Sequence, residues 1–388
     1  MKTVAVIFGG QSTEHDVSVV TALSSVIRPL MLTKEYDVQA IYIAKDGSWF
    51  WDDRLKNIDI FTSGEIDTFM KKAPKVQVQL DNGLTLVKSS QFAGRKTYKK
   101  VDIVFPAMHG THGEDGDLMG LLNMAGVPYV GCGVAASAIA MDKVLAKLIA
   151  ESNGITTPKM QFTTKQDLER NPQSFIAAVN NVLTYPLFVK PAHLGSSIGI
   201  TKVTDQKELA NALEVAAHYD TKILVEEAVP NLIELTLPIM GNENPIPAFL
   251  EQPLTNSDDF FDFDTKYMQG GKAGKKGGKG ANAQGYSKIP ADIPESLYKK
   301  AEEVGLAVYR AIGCEGIARV DMLVNSKTGQ VYFNEDNPLP VGLYAHNWQK
   351  RGYSKTQLVQ HLLDYAMQRH AETNKLSTSF KTSYLKQF

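Results

Sequence analysis

The sequence predicts a multidomain protein that mixes α/β and α+β organisation and begins with a Rossmann-like, parallel-sheet unit. Three observations carry this expectation. At roughly 150 residues per domain, a chain of 388 residues holds two or three domains. Its first third alternates apolar strand-like runs with helical spacing, the rhythm of βαβ units. Beyond residue 134 shorter strands surround single helices, as in small α+β units. Hydrophobic residues at 43% and charged residues at 21% supply an ordinary globular core. A net charge of −1 lacks both the basic excess of a dedicated nucleic-acid binder and the imbalance of a disordered chain. No run approaches the ~18 consecutive apolar residues of a membrane span, and residues 3–8 are too short for a signal-peptide core. Cys132 and Cys314 are too few for a disulfide framework or a zinc cluster. The expectation is a cytoplasmic protein with neither nucleic acid nor membrane as a partner.

Taken in order, residues 4–8 form a near-continuous apolar run, as expected of a strand covered on both faces. Gly9 and Gly10 turn the chain into a helix from about Thr13, with Val17, Val20, Ser24 and Ile27 on one face. Strands follow at 38–43 and 101–105, separated by a polar, irregular stretch over 46–100 that reads as hairpins or elaborated surface. A short helix ending at Gly126 leads to a strand at 127–130. The next helix presents Met141, Leu145, Leu148 and Ile149 and stops at Gly154. Strands at 187–190, 198–203 and 223–226 enclose a helix at 206–218. The last third carries strands at 234–240, 316–324 and 330–335 and helices at 294–312 and 354–370. Ser354-x-x-Gln357 is a capping-box pattern for the second of these helices. Residues 373–388 read as a flexible tail.

The chemistry lies in a few short segments. Arg319-Val-Asp321 and Glu335-Asp-Asn337 lie at or near the ends of two adjacent strand-like runs separated by the turn at 325–329. Hairpin pairing brings Asp321, Glu335 and Asn337 together as hard oxygen ligands suited to Mg²⁺. Strand alternation puts Arg319 on the face of Asp321, where it can neutralise an oxyanion beside the metal. Lys190 ends a strand and precedes Gly195-Ser196-Ser197, a cation and backbone N–H groups suited to phosphates, although the same residues make an ordinary turn. Glu226-Glu227 suits hydrogen bonding to a nucleotide base or ribose.

His109-Gly-Thr-His112-Gly-Glu-Asp-Gly116 lacks zinc spacing; a substrate loop, a helix-capping turn and a metal site remain open there. Gly9-Gly-Gln-Ser-Thr-Glu14 departs from the dinucleotide fingerprint but again links a strand to a helix. The segment 270–280, six glycines and four lysines, has no P-loop spacing; it reads as a solvated loop or as a lid bringing cations to a phosphorylated ligand.

In this order the motifs resemble the D-alanine–D-alanine ligase family of the ATP-grasp superfamily. The resemblance covers roughly residues 1–50 and 100–370. It rests on the His109 loop, Gly120-Leu-Leu, Val127-Pro-Tyr-Val-Gly131, Ala136-Ser-Ala, Met141-Asp-Lys143, Lys190-Pro, Gly195-Ser-Ser and Arg319-Val-Asp321. It implies a three-domain ATP-grasp architecture divided as 1–133, 134–233 and 234–372, with a lid near 258–290 and a tail over 373–388. The implied activity joins two D-alanines, at the expense of ATP, through an acyl phosphate for peptidoglycan synthesis. A different second substrate or a non-catalytic nucleotide-binding homologue are the alternatives.

The implied roles follow the matching residues. Lys143, Lys190, Ser197 and Lys266 serve the ATP phosphates, and Glu226, Glu227 and Glu234 the adenine and ribose. Asp321, Glu335 and Asn337 hold two Mg²⁺, with Mn²⁺ as a substitute. Arg319 stabilises the transferred phosphate. Glu14 binds the first amino group in a hydrogen-bonded trio with Ser196 and Tyr267, and His109 borders the substrates. Such a ligase is expected to be a homodimer. Two departures stand out. Residues 338–348 lack the family's usual Thr-x-Pro-Gly and Ser-Leu spacing, which leaves Gly342 for the oxyanion hole and His346 or Asn347 for the second carboxylate. The lid is also longer than usual.

Overall fold

The computed structural model describes residues 1–81, 83–89, 96–253, 287–379 and 381–388. β1 (Lys2–Gly9) pairs in parallel with β2 (Tyr36–Ile43), and β2 takes the antiparallel β3 (Trp49–Trp51) on its outer edge. The polar stretch contains an antiparallel sheet of β4 (Val76–Leu80), β5 (Leu84–Ser89) and β6 (Lys96–Val101). The chain then returns as β7 (Ile103–Pro106) on the free side of β1, in parallel. The expected strand at 127–130 shrinks to one parallel bridge between Val104 and Tyr129. Pro128 has no N–H, so it joins this edge only through its carbonyl, which accepts from Val104.

The helical run after β1 begins at His15 and contains a π-helical stretch, Ala22–Ile27. That wider turn breaks the 3.6-residue period on which the expected face rests. Val20 and Ser24 point to solvent, while Ser18, Val19, Ala22, Leu23, Val26 and Ile27 are buried. Ser18 fixes the facing: Gly9 N–H donates to its Oγ, which in turn donates to the Ala107 carbonyl. By length and hydropathy His15–Thr33 would pass for a membrane span. Its buried His15, Ser18 and Thr21 all hydrogen-bond inside the protein, which makes it a core helix.

A second sheet runs β10-β9-β11-β8, entirely antiparallel, from β8 (Met160–Thr164), β9 (Leu187–Pro191), β10 (Thr201–Val203) and β11 (Lys222–Glu227). The helix Lys143–Ser152 leads into this unit. Its Leu145 and Leu148, expected inside, are 42% and 38% exposed, whereas Lys147 is completely buried.

The third sheet has the order β13-β12-β16-β17, from β12 (Leu232–Gly241), β13 (Ile246–Pro247), β16 (Gly316–Asn325) and β17 (Gln330–Asn337). The short strands β14 (Gln252–Pro253) and β15 (Ser287–Lys288) pair beside it, and helix Glu295–Ile312 backs it. Helix Lys355–Thr373 opens with the Ser354–Gln357 capping box. Its Leu358 and Leu362 share one core with Val4, Phe8 and Leu23, so the last third of the chain packs against the first. Arg369 ties the same ends together by donating to the carbonyls of Tyr129 (2.7 Å) and Gly131 (2.5 Å).

Candidate active site

The β16/β17 pairing places Asp321 opposite Glu335 and Arg319 opposite Asn337, with an irregularity after Asp321. Arg319 grips Asp321 through Nε (3.0 Å to Oδ1) and Nη2 (2.6 Å to Oδ2). Thr236 Oγ1, from β12, donates to Asp321 Oδ1 at 2.8 Å, and Asn337 Nδ2 donates to Oδ2 at 3.2 Å. The latter bond turns Asn337 so that its amide nitrogen faces protein and its oxygen stays a possible ligand. Asp321, Glu335 and Asn337 thus gather oxygen donors of the kind a hard divalent cation takes.

Facing this hairpin are the lysines. Asp142 caps helix Lys143–Ser152 by accepting from the N–H groups of Val144 and Leu145. That cap projects Lys143, whose Nζ donates to the Leu194 carbonyl (2.8 Å) and lies 3.2 Å from Glu335 Oε2. Asp142 also pairs with Lys222 and His193, and Asp220 holds the other side of the His193 ring. Hydrogen bonds to Asp142 and Asp220 raise the His193 imidazole to about 9 against the cost of burial. The loop that starts at Lys190 is therefore pinned at its base. Lys190 Nζ reaches Glu226 Oε1 and lies 3.4 Å from Asn334 Oδ1.

Glu226 is a correction to the expected adenine or ribose contact: it is buried, and its carboxylate is enclosed by Lys190 and Lys147, the latter at 3.0 Å. Burial opposes its ionisation, but the two ammonium groups override that and hold the carboxyl at about 2. Its neighbour Glu227 accepts from Thr184 N–H at 2.9 Å, and Glu234 lies half-buried on β12.

At the carboxyl end of β1, Glu14 sits just before helix His15–Thr21 and is buried. Ser196 Oγ donates to Glu14 Oε1, so the first and second units meet at this pair. Burial raises the Glu14 carboxyl above its ordinary value, and the nearby Glu114 adds to the rise. Gly110 allows the approach of the His109 loop: a Cβ there would lie 2.5 Å from Ser12 Oγ, at a φ of +70°. His109 Nε2 is 3.0 Å from Thr21 Oγ1. The same hydroxyl accepts from Gly342 N–H at 3.0 Å, which corrects the expected oxyanion role, since this N–H is spent on protein. Ser197 follows Ser196 with both residues at positive φ, 53° and 59°. Tyr267, Lys266 and the 270–280 segment lie outside the described residues.

Residues 338–348 fold in a way that no spacing announced. Gly342, Leu343 and Tyr344 all adopt left-handed backbone angles, with φ of 60°, 56° and 49°. Two of these are not glycine, so the surroundings must hold them there. The Tyr344 ring lies 5.3 Å from the Arg319 guanidinium and 4.9 Å from the His346 ring. His346 Nε2 is 3.0 Å from Glu251 Oε2. Asn347, expected at the substrate, is instead completely buried: it accepts from Phe249 N–H and donates to the Phe249 carbonyl. Sequence reading also missed Lys147, Thr21 and Glu251. Only Lys147 left a trace, standing four residues after Lys143 on the same helical face.

A parallel-sheet unit, a small antiparallel unit carrying Lys190 and a carboxylate hairpin closing on both define a ligase of ATP-grasp architecture. Two family models match the chain: D-ala D-ala ligase N-terminus over residues 3–132 and D-ala D-ala ligase C-terminus over residues 149–364. A D-alanine–D-alanine ligase of Acetivibrio thermocellus is 36% identical, covering 96% of this chain and 98% of its own. Its counterpart in Chloroherpeton thalassium is 36% identical with the same coverage, 96% and 98%. The crystal structure of the VanG D-Ala:D-Ser ligase from Enterococcus faecalis superposes with a TM-score of 0.77 at 32% identity, covering 94% of this chain and 99% of that one. The chain belongs to the D-alanine–D-alanine ligase family.

Proposed function

We propose that this protein is an ATP-dependent, ADP-forming ligase that joins two D-alanines into D-alanyl-D-alanine for peptidoglycan synthesis. The observation that carries this is the meeting of the Arg319–Asp321–Glu335–Asn337 hairpin with Lys143 and Lys190, beside the Glu14–Ser196 pair. The first cluster suits a phosphoryl group and the second a substrate amine. The bacterial relatives that match nearly the whole chain bear the same activity in their names.

In this reading Lys143, Lys190 and the backbone at Ser197 receive the ATP phosphates, and Glu227 and Glu234 the nucleoside. Asp321, Glu335 and Asn337 would hold two Mg²⁺, with Mn²⁺ as a substitute; the ions would neutralise phosphate charge. Transfer of the ATP γ-phosphoryl group to the first D-alanine carboxylate releases ADP and gives an acyl phosphate; the second amine, having lost a proton, attacks its carbonyl carbon, and the amide bond forms as inorganic phosphate leaves. Such a transfer needs positioning and charge stabilisation more than a protein nucleophile, and Arg319 would stabilise the transferred phosphate. Glu14, hydrogen-bonded to Ser196, orients the first amino group; Tyr267 and Lys266, expected beside them, lie outside the described residues. His109 borders this pocket, and His346, backed by Glu251, faces the second carboxylate. Domain divisions near 133 and 233, a homodimer and a cytoplasmic location belong to the same proposal; the expected lid falls largely outside the described residues.

The test is phosphate release by the purified enzyme with ATP, Mg²⁺ and D-alanine alone, then with D-lactate, D-serine or other amino acids added. Release with D-alanine alone, with the dipeptide as product, supports the reading. Release only after another acceptor is added overturns the identity of the second substrate. Nucleotide binding without turnover against the whole panel overturns the catalytic reading.

A further inference from the structure

Lys147 is a completely buried lysine that the proposed reaction does not use. Its ammonium lies 3.0 Å from Glu226 Oε2 and donates to the Phe333 carbonyl at 3.3 Å. The other oxygen of Glu226 is taken by Lys190, which also reaches Asn334 at 3.4 Å. Two cations therefore share one carboxylate in an environment where a bare charge is very costly. Counted as ionised, the three groups sum to +1; burial pushes the Lys147 ammonium down from its ordinary value, and the neighbouring Glu226 carboxylate opposes that fall. Lys147 and Glu226 are sealed inside, and Lys190, adjoining the pinned glycine-serine loop, is the member nearest the cleft.

We infer that Lys147 is a positioning residue for nucleotide binding: it satisfies Glu226 so that Lys190 can leave that carboxylate for a phosphate. Were Lys190 the only cation beside Glu226, the pair would be neutral. Departure of Lys190 would then strand a buried carboxylate, the situation that makes broken buried pairs expensive. With Lys147 in place, Glu226 keeps a counter-ion whichever partner Lys190 takes, and the positive charge remains at the cleft. The inference rests on the reading of Lys190 as a phosphate ligand.

The experiment uses the full-length enzyme and measures ATP affinity by calorimetry together with the KM for ATP and kcat. Variants are Lys147→Met, Glu226→Gln, the double variant and Lys190→Met, each checked by thermal melting. Lys147→Met should raise the KM for ATP about tenfold, with kcat changed far less, because ground-state and transition-state phosphate binding weaken alike. Adding Glu226→Gln should recover most of that loss, since removing the carboxylate releases Lys190 again. A damaged core would not be rescued by a second buried substitution. If Lys147→Met does not fold, the double variant still decides: it must bind ATP within about threefold of the wild-type enzyme, an agreement tighter than the roughly tenfold single-variant effect. Unchanged ATP affinity in Lys147→Met, or a double variant no better than the single one, overturns the inference. Lys190→Met separates the two levels. If it leaves ATP affinity intact, the reading of Lys190 has failed; if it abolishes affinity while Lys147→Met does not, only the role of Lys147 has failed.

Discussion

The two charged clusters that meet at the Lys143–Glu335 contact are built in different ways. On the hairpin side, Arg319, Asp321, Glu335 and Asn337 belong to two neighbouring strands, and register alone brings them together. They stay partly open to the cleft, with the Arg319 and Asp321 side chains 16% and 17% exposed. On the lysine side, Lys147, Lys190 and Glu226 come from a helix and two strands, and Lys147 and Glu226 are shut off from water. Local pairing can hold charges ready for a ligand. A dry, distant assembly can hold them only if each charge keeps a partner. The first kind of cluster should fail mainly in activity, the second mainly in stability.

Glu226→Ala tests the difference most severely. It leaves two ammonium groups without their shared carboxylate, and we expect a loss of about 3–5 kcal/mol in unfolding free energy by urea denaturation. A change of less than about 1 kcal/mol would mean that water reaches these groups and the contrast is false. Glu335→Gln should do the reverse, lowering kcat by about 100-fold while the melting temperature barely moves. Loss of folding in that variant would place the hairpin cluster among the structural ones.

Asn347→Ala examines the tie between the 338–348 segment and Phe249. It removes both bonds to the Phe249 backbone, and a cost of about 1–3 kcal/mol is expected with little change in the KM for D-alanine. A large KM effect with normal stability would return Asn347 to the substrate. The smallest effect concerns His193, whose ring is partly exposed. Its folded value is raised to about 9 from an ordinary 6.5, so its contribution is complete below pH 6.5 and is lost as pH rises through 9. His193→Gln should therefore flatten the decline of melting temperature across that window. An unchanged slope would show that Asp142 and Asp220 do not hold a charged imidazole.

Legibility followed the same division. The pairing of Asp321 with Glu335 could be read from two strand runs and a short turn, because side-chain alternation has a fixed period. The proximity of Glu14 and Ser196, 182 positions apart, came from family resemblance and not from any local period. A 3.6-residue period misplaces the face of helix His15–Thr33 because a π-helical stretch shifts the repeat. Lys147 is hard to read from sequence because a lysine on an amphipathic helix ordinarily marks the solvent side. The partners of Gly342 and Asn347 escape the sequence for a related reason: spacing gives a residue's place along the chain, not the direction of its donor.

By itself, the sequence determined the parallel-sheet start, the capping box at Ser354, the carboxylate hairpin and, through its motifs, the family. These depend on local backbone periodicity or on short runs of fixed residue types. Only the tertiary structure decided that Glu226 is enclosed by two lysines, that Gly342 spends its N–H on Thr21, and that Tyr344 stacks beside Arg319. Each of these depends on which surfaces meet when the first and last thirds of the chain share one core. Burial then sets the partners that each polar group must find.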